Sequence, residues 1–227
     1  RPVGDPIRYW PGQYLMVGDD RAGAPPRPYS IASAPRADGE IVLLVARVPD
    51  GRTSGWIHDR LAVGDRITVA GPYGTFIGDP GTDTPVLCLA AGSGLAPILA
   101  LTDAALRRGF MHPVTVLYSA RTTDDVFDEG LMAWWTAKHR RFDFRVTYTG
   151  DDPPADAKFT GRVPDMLAEL KDDLNAHSIY IAGSPDFVDA CVDAVRALGA
   201  TDEQIFVERY HPQSPAETPP AGQLTTS

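Results

Sequence analysis

Residues 78–85 read GDPGTDTP, and the hydrophobic rhythm differs on the two sides of this turn-forming octet. Before it, apolar residues come in short runs separated by Gly, Pro and Asp: QYLMV at 13–17, EIVLLVARV at 40–48 and DRITVA at 65–70. Runs of that length and spacing are the mark of an antiparallel sheet or small barrel. After it, strand-like runs alternate with stretches of helical period, a pattern that calls for parallel strands joined by right-handed crossovers. Two rhythms separated by a linker predict two domains.

The first part has one interruption of helical character. SGWIHDRL at 54–61 opens on Ser54, a good N-cap residue, and spaces Trp56, Ile57 and Leu61 along one face. In the second part the predicted strands are 85–91, 113–120, 142–149, 178–183 and 204–210, and the predicted helices are 95–109, 128–141, 163–171 and 184–199. The expected fold is therefore an antiparallel β-barrel over residues 1–80, followed by a doubly wound, five-stranded parallel α/β sheet over 81–210. Residues 211–227 are rich in Pro, Ser and Thr without apolar periodicity, and predict a tail that is mobile or draped on the surface.

Composition narrows the partners. With 227 residues, 43% of them hydrophobic, the chain can bury a substantial core. Its formal charge of −9 gives no general support to a nucleic-acid or anionic-membrane partner and suits a basic docking protein. Cys88 and Cys191 stand apart in apolar surroundings. They read as buried free thiols rather than as a disulfide, a zinc site or an iron–sulfur cluster, which points to a reducing, cytoplasmic setting. No apolar run approaches the ~18 residues of a membrane span, and no group of residues suggests a metal site.

Four stretches can carry chemistry. AAGSGLAP at 90–97 follows a predicted strand and opens a predicted helix; Gly92 and Gly94 permit close backbone approach, and Pro97 suits a first helical turn. The helix start offers free N–H groups to a pyrophosphate, although the third glycine of the dinucleotide fingerprint is absent and a ligand-free turn also fits. LYSARTTDDVF at 117–127 lies where an adenosine ribose would sit; Arg121 can stack on adenine or hold a phosphate, while Asp124 and Asp125 disfavour a 2′-phosphate or simply form a solvated loop. IAGSPDF at 181–187 repeats the strand, glycine, helix-start pattern, with Gly183 clearing space and Ser184 placed to cap. In RPYS at 27–30 the Arg27 guanidinium suits a phosphate, the Tyr29 ring a planar heterocycle and the Ser30 hydroxyl a ring nitrogen. RVPDGRTS at 47–54 adds a glycine turn that runs into a helix start, a second natural anion site or an ordinary capped turn.

The ordered set RPYS, GRTS (51–54), GPYG (71–74), GSGLAP (92–97), AGSPDF (182–187) and FVERY (206–210) resembles the ferredoxin–NAD(P)H reductase superfamily, and more closely the NADH-dependent reductase components of bacterial oxygenases. The resemblance extends from Pro11 to Tyr210. It implies FAD, less readily FMN, on a six-stranded antiparallel barrel, and a nicotinamide on the α/β domain. By it, Arg27 would hold the flavin phosphate, Tyr29 would pack on the flavin, Ser30 would bond flavin N5, and Gly51, Thr53 and Ser54 would form the pyrophosphate turn, with Val45 also lining the flavin. Gly92, Gly94, Pro97 and Gly183 would line the nicotinamide cleft, with Arg121 near the adenosine. Glu208 would lie by the hydride-transfer region and Tyr210 against the flavin. The implied activity is hydride transfer from NADH, favoured over NADPH, to FAD. Electrons then pass singly to an oxygenase, ferredoxin or globin, separate or in the same full-length chain. A free flavin reductase and a non-catalytic nucleotide-binding regulatory module are the alternatives.

Three departures accompany the resemblance. Ala182 stands where many relatives have Cys, the first barrel strand is short so that a preceding segment is expected, and two cysteines cannot supply an iron–sulfur cluster.

Overall fold

A computed structural model describes residues 4–79, 81–127 and 129–211. The first half contains β1 (Tyr14–Asp19), β2 (Ala24–Ser30), α1 (Arg52–Asp59) and β3 (Thr68–Tyr73), with the strands in an antiparallel sheet of order β2-β1-β3. The second contains β4 (Val86–Ala91), α2 (Leu95–Arg107), β5 (Val114–Ala120), α3 (Glu129–Lys138), β6 (Phe142–Tyr148), α4 (Val163–Leu170), β7 (Ser178–Gly183), α5 (Pro185–Ala197) and β8 (Ile205–Arg209). Its five strands are all parallel, in the order β6-β5-β4-β7-β8.

The parallel half follows from its side-chain periods. Successive residues of β4 point to opposite faces, so Leu87 and Leu89 join one apolar cluster while Cys88 and Ala90 join the other. Helices α2 and α3 cover the Cys88 face with Leu95, Ile98, Leu99, Met132 and Trp135; α4 and α5 cover the Leu89 face with Met166, Leu167, Val188 and Val192. Both faces being covered, β4 and β7 are apolar almost throughout. The chain order reverses at β4, so the carboxyl ends of β4 and β7 meet at the switch point where such sheets bind ligands.

The antiparallel half has a smaller core of Tyr9, Leu15, Val17, Ala24, Ile31 and Trp56, the last supplied by α1. Two expectations need correction. Only three strands pair here among the described residues, against the six implied. The run 40–48 contributes one antiparallel bridge, Ile31 to Leu43, rather than a strand. Its residues are nevertheless shared between two cores, Ile41 and Leu43 packing with Trp56, and Val42 and Leu44 with the α/β cluster. An apolar run reports burial; it does not report whether a neighbouring strand is there to complete a ladder. The helix also begins earlier than expected, with Gly51 and not Ser54 at its N-cap. The tail lies outside the described residues from 212 onward.

Ala32, Leu44 and Phe76 belong to the same apolar cluster as α2 and β4, which joins the halves through a common core. Polar contacts add direction at this seam. The Asp103 carboxylate on α2 accepts the Ala34 N–H at 3.2 Å, and the Asp79 N–H donates to the Tyr180 hydroxyl at 3.4 Å.

Candidate active site

The end of β2 and the start of α1 form one cradle. Along β2 the burial alternates, leaving the side chains of Arg27 and Tyr29 half-buried on one face and Ser30 buried on the other. Burial pushes the Tyr29 phenol up from its ordinary value, with the neighbouring Arg27 charge working against it. The Arg27 guanidinium donates a hydrogen bond to its own neighbour, the Pro26 carbonyl, at 3.3 Å and has no ion pair among the described residues, so its charge is available to a ligand. On α1 the hydroxyls turn inward: Thr53 donates to the Pro25 carbonyl, tying helix to strand, and Ser54 accepts the Val48 N–H and donates to the Gly51 carbonyl. Neither hydroxyl is therefore free for a phosphate. What this turn presents is backbone, the N–H groups of the first helical turn, which have no acceptor within the helix. Gly51 is confined, because a methyl group on it would lie 2.5 Å from the Ser54 hydroxyl. Val45 is half-buried beside the same helix, its carbonyl 2.8 Å from the His58 imidazole.

Across the seam the two glycine turns of the parallel sheet touch. A methyl group on Gly94 would come within 2.2 Å of the Ala182 carbonyl oxygen, so only glycine lets the β4–α2 turn lie against the end of β7. Gly92 adopts a φ of 54° and faces open space, leaving the helix mouth accessible. Pro97 is buried in the first turn of α2, where no N–H is needed. Gly183 leaves room for the Phe187 ring, and the Ser184 hydroxyl accepts the Phe187 N–H as the cap of α5.

The segment after β8 closes the distance between these parts. The Tyr210 N–H donates to the Gly183 carbonyl at 2.9 Å, and the Tyr210 hydroxyl lies 2.7 Å from the Ser30 hydroxyl on β2. Burial raises the Tyr210 phenol well above its ordinary value, so it stays a neutral hydrogen-bonding group. Glu208 pairs with Ala182 in the β7–β8 register and is itself raised by burial. Ser30, Tyr210, Gly183, Ala182, Gly94 and Glu208, spread over 180 residues of sequence, thus form one connected patch at the seam.

The comparisons with known proteins fall on these same two halves. A family model described as an oxidoreductase FAD-binding domain matches residues 4–77, and one described as an oxidoreductase NAD-binding domain matches residues 88–193. The chain is 34% identical over 212 residues to the ferredoxin reductase component of a 3-ketosteroid-9-alpha-monooxygenase from Mycolicibacterium smegmatis, covering 92% of this chain and 57% of that protein. It is 28% identical over 210 residues to the reductase component of the naphthalene 1,2-dioxygenase/salicylate 5-hydroxylase systems of Ralstonia sp., covering 92% and 63%. Among solved structures, an Amycolatopsis cytochrome P450 reductase, GcoB, superposes with a TM-score of 0.82 at 32% identity over 92% of this chain and 63% of that one. The chain belongs to the ferredoxin–NAD(P)H reductase superfamily. It spans about three fifths of the length of the curated relatives it matches.

Within this reductase fold some expected residues stand apart from the patch. Arg121 is exposed just beyond the carboxyl end of β5, and its carbonyl accepts the Gly150 N–H at 2.9 Å. Asp125 is committed locally, taking the N–H and hydroxyl of Thr122 in a capping box, which leaves Asp124 as the exposed carboxylate without such a role. Reading the sequence missed Asp103. This carboxylate is 8% exposed and also accepts from Arg107 Nε at 2.7 Å, fixing α2, the helix of the glycine turn, to the segment that follows Ser30. The signal was present as a lone acid inside the apolar helix LAPILALTDAALR. Among the described residues no helix is long and apolar enough to cross a membrane, and no cluster of His, Cys, Asp or Glu is arranged to hold a metal.

Proposed function

We propose that the chain is the reductase unit of an electron-transfer flavoprotein that draws hydride from NADH and delivers electrons singly to a partner redox protein. The observation that carries this reading is the Ser30–Tyr210–Gly183 connection, which brings the end of the flavin-type strand to the glycine turns of the nicotinamide-type sheet. FAD, when bound, supplies the chemistry: it takes up a hydride and gives up electrons one at a time. The protein's own part is holding and aligning. The first-turn N–H groups of α1 after Gly51 suit a diphosphate, and so favour FAD over FMN; Thr53 and Ser54 hold that turn in shape, and Arg27 adds a cation. Val45 and Tyr29 supply wall and ring, and Ser30 a hydrogen bond to the reacting edge. Tyr210 keeps Ser30 partnered until a ligand takes over that bond. Gly92, Gly94, Pro97 and Gly183 form the mouth that admits a nicotinamide nucleotide, and Glu208 stands behind Ala182 at the same edge. Arg121 would meet the adenosine, and the exposed Asp124 favours NADH by repelling a 2′-phosphate.

The domain division at about residue 80, and a cytoplasmic setting suited to the free thiols Cys88 and Cys191, belong to the same proposal. The acceptor is an oxygenase, ferredoxin or globin, in a separate chain or attached to this one. A free flavin reductase is the second reading, and the diphosphate-type turn at Gly51 disfavours it. Gel filtration after loading with FAD separates the two. The proposal expects flavin to travel with the protein and NADH to drive reduction of ferricyanide; flavin that leaves the protein on the column would favour the second reading.

A further inference from the structure

A cavity of about 570 Å³ opens at the seam, toward the opposite end of β4 from the glycine turn. Val86 and Val114, the first residues of β4 and β5, line it together with the carboxyl-terminal half of α2, so it lies at the amino edge of the sheet. Ser30, Gly94, Gly183 and Tyr210 take no part in its wall, which separates it from the candidate active site. Its size is within the range of small-molecule sites, about 300–1,000 Å³.

The wall has a definite chemistry. Trp10 from the antiparallel half and Phe110 and Tyr180 from the parallel half line it together with apolar residues of α2. Into this mostly apolar surface are set a few polar groups. Thr102, 2% exposed, is among the lining residues, and its buried hydroxyl has no hydrogen-bond partner among the described residues. A buried polar group left unpaired is unusual. Arg8 and Arg108 also line it, and neither is ion-paired among the described residues. The acid in the wall, Asp79, turns its carboxylate to the Gly81 N–H at 2.7 Å. The cavity therefore offers aromatic side chains and two unpaired cations against a single carboxylate that is hydrogen-bonded within its own turn.

We propose that this seam cavity binds a small aromatic carboxylate, its rings against Trp10, Phe110 and Tyr180 and its carboxylate toward Arg8 and Arg108. Because the wall is drawn from both halves, such a ligand favours the docked arrangement of the halves over any separated one. The site does not depend on turnover, so it stands or falls apart from the proposed reductase activity.

Calorimetric titration of the FAD-loaded protein with naphthoate, and with the neutral naphthylmethanol as control, tests it. The expected result is saturable naphthoate binding that saturating NAD does not displace. Changing both cations, Arg8→Gln with Arg108→Gln, should weaken naphthoate about tenfold, the scale of a lost charge-assisted hydrogen bond, and leave the neutral control unchanged. Ala105→Phe, which puts a ring into the space from α2, should abolish binding of both. Absence of saturable binding overturns the proposal, as does displacement by NAD or naphthoate affinity unchanged in the double glutamine variant. Should Ala105→Phe fail to fold, the arginine variants and the NAD competition still decide.

Discussion

In the parallel sheet Leu89 and Ile181 lie side by side on neighbouring strands, both fully buried, whereas at the end of the antiparallel sheet a comparably buried place is taken by Ser30, with Thr53 and Ser54 buried on the adjoining helix. The first arrangement is held by area: each such side chain contributes about 1.5–3 kcal/mol by leaving water, whatever its exact partner. The second is held by pairing, since each hydroxyl there has a named acceptor or donor and would be a liability without it. The α/β half therefore tolerates sequence that keeps volume and pattern. The antiparallel half depends on particular atoms, and those atoms surround the site.

Cavity formation in the parallel half should give the largest effect. Ile181→Ala should lower stability by about 2–5 kcal/mol, read as an earlier denaturant midpoint; a loss no larger than that of a surface substitution would remove the contrast between the halves. Thr53→Val keeps shape but strands the Pro25 carbonyl, and should cost about 1–3 kcal/mol while weakening FAD retention. Retention equal to that of the unaltered protein would mean that the turn is not shaped by this bond. Smaller still is Tyr210→Phe, which deletes one partner of Ser30 and should cost about 0.5–1.5 kcal/mol, with a changed rate of flavin reduction as its functional sign.

The smallest effect is one of pH. Burial raises Glu208 above its ordinary 4.5, so its protonated form is favoured by folding. That contribution is complete below about the unfolded value and is lost as pH rises through the folded one. Glu208→Gln should thus match the unaltered protein in acid and gain on it as pH rises toward neutrality. A constant difference across the range would show that burial does not govern this carboxyl.

The same contrast explains what could be read in advance. Strands and helices of the α/β half emerge within a few residues of their observed limits because two-sided burial writes continuous apolar strands and helical burial writes an amphipathic period. Ser54 looked like an N-cap because it is a serine before an apolar run, but its hydroxyl is spent on the Val48–Gly51 turn, so the helix starts at Arg52. The run 40–48 was apolar for two cores and not for a ladder. Ser30 and Tyr210 were each visible as site residues, yet their 2.7 Å contact across 180 positions is tertiary information that no local pattern carries. Asp103 was hidden for the same reason, its partner Ala34 lying 69 residues away.

Anaerobic mixing of the FAD-loaded protein with NADH, followed at the flavin absorption band, tests most directly whether the seam between the halves is where hydride passes. Rapid bleaching is expected in the unaltered protein, slower bleaching with flavin retained in Ser30→Ala, and none in Gly94→Ala, whose added methyl would meet the Ala182 carbonyl at 2.2 Å. A bound flavin that NADH leaves oxidised, or bleaching at an unchanged rate in both variants, would contradict it.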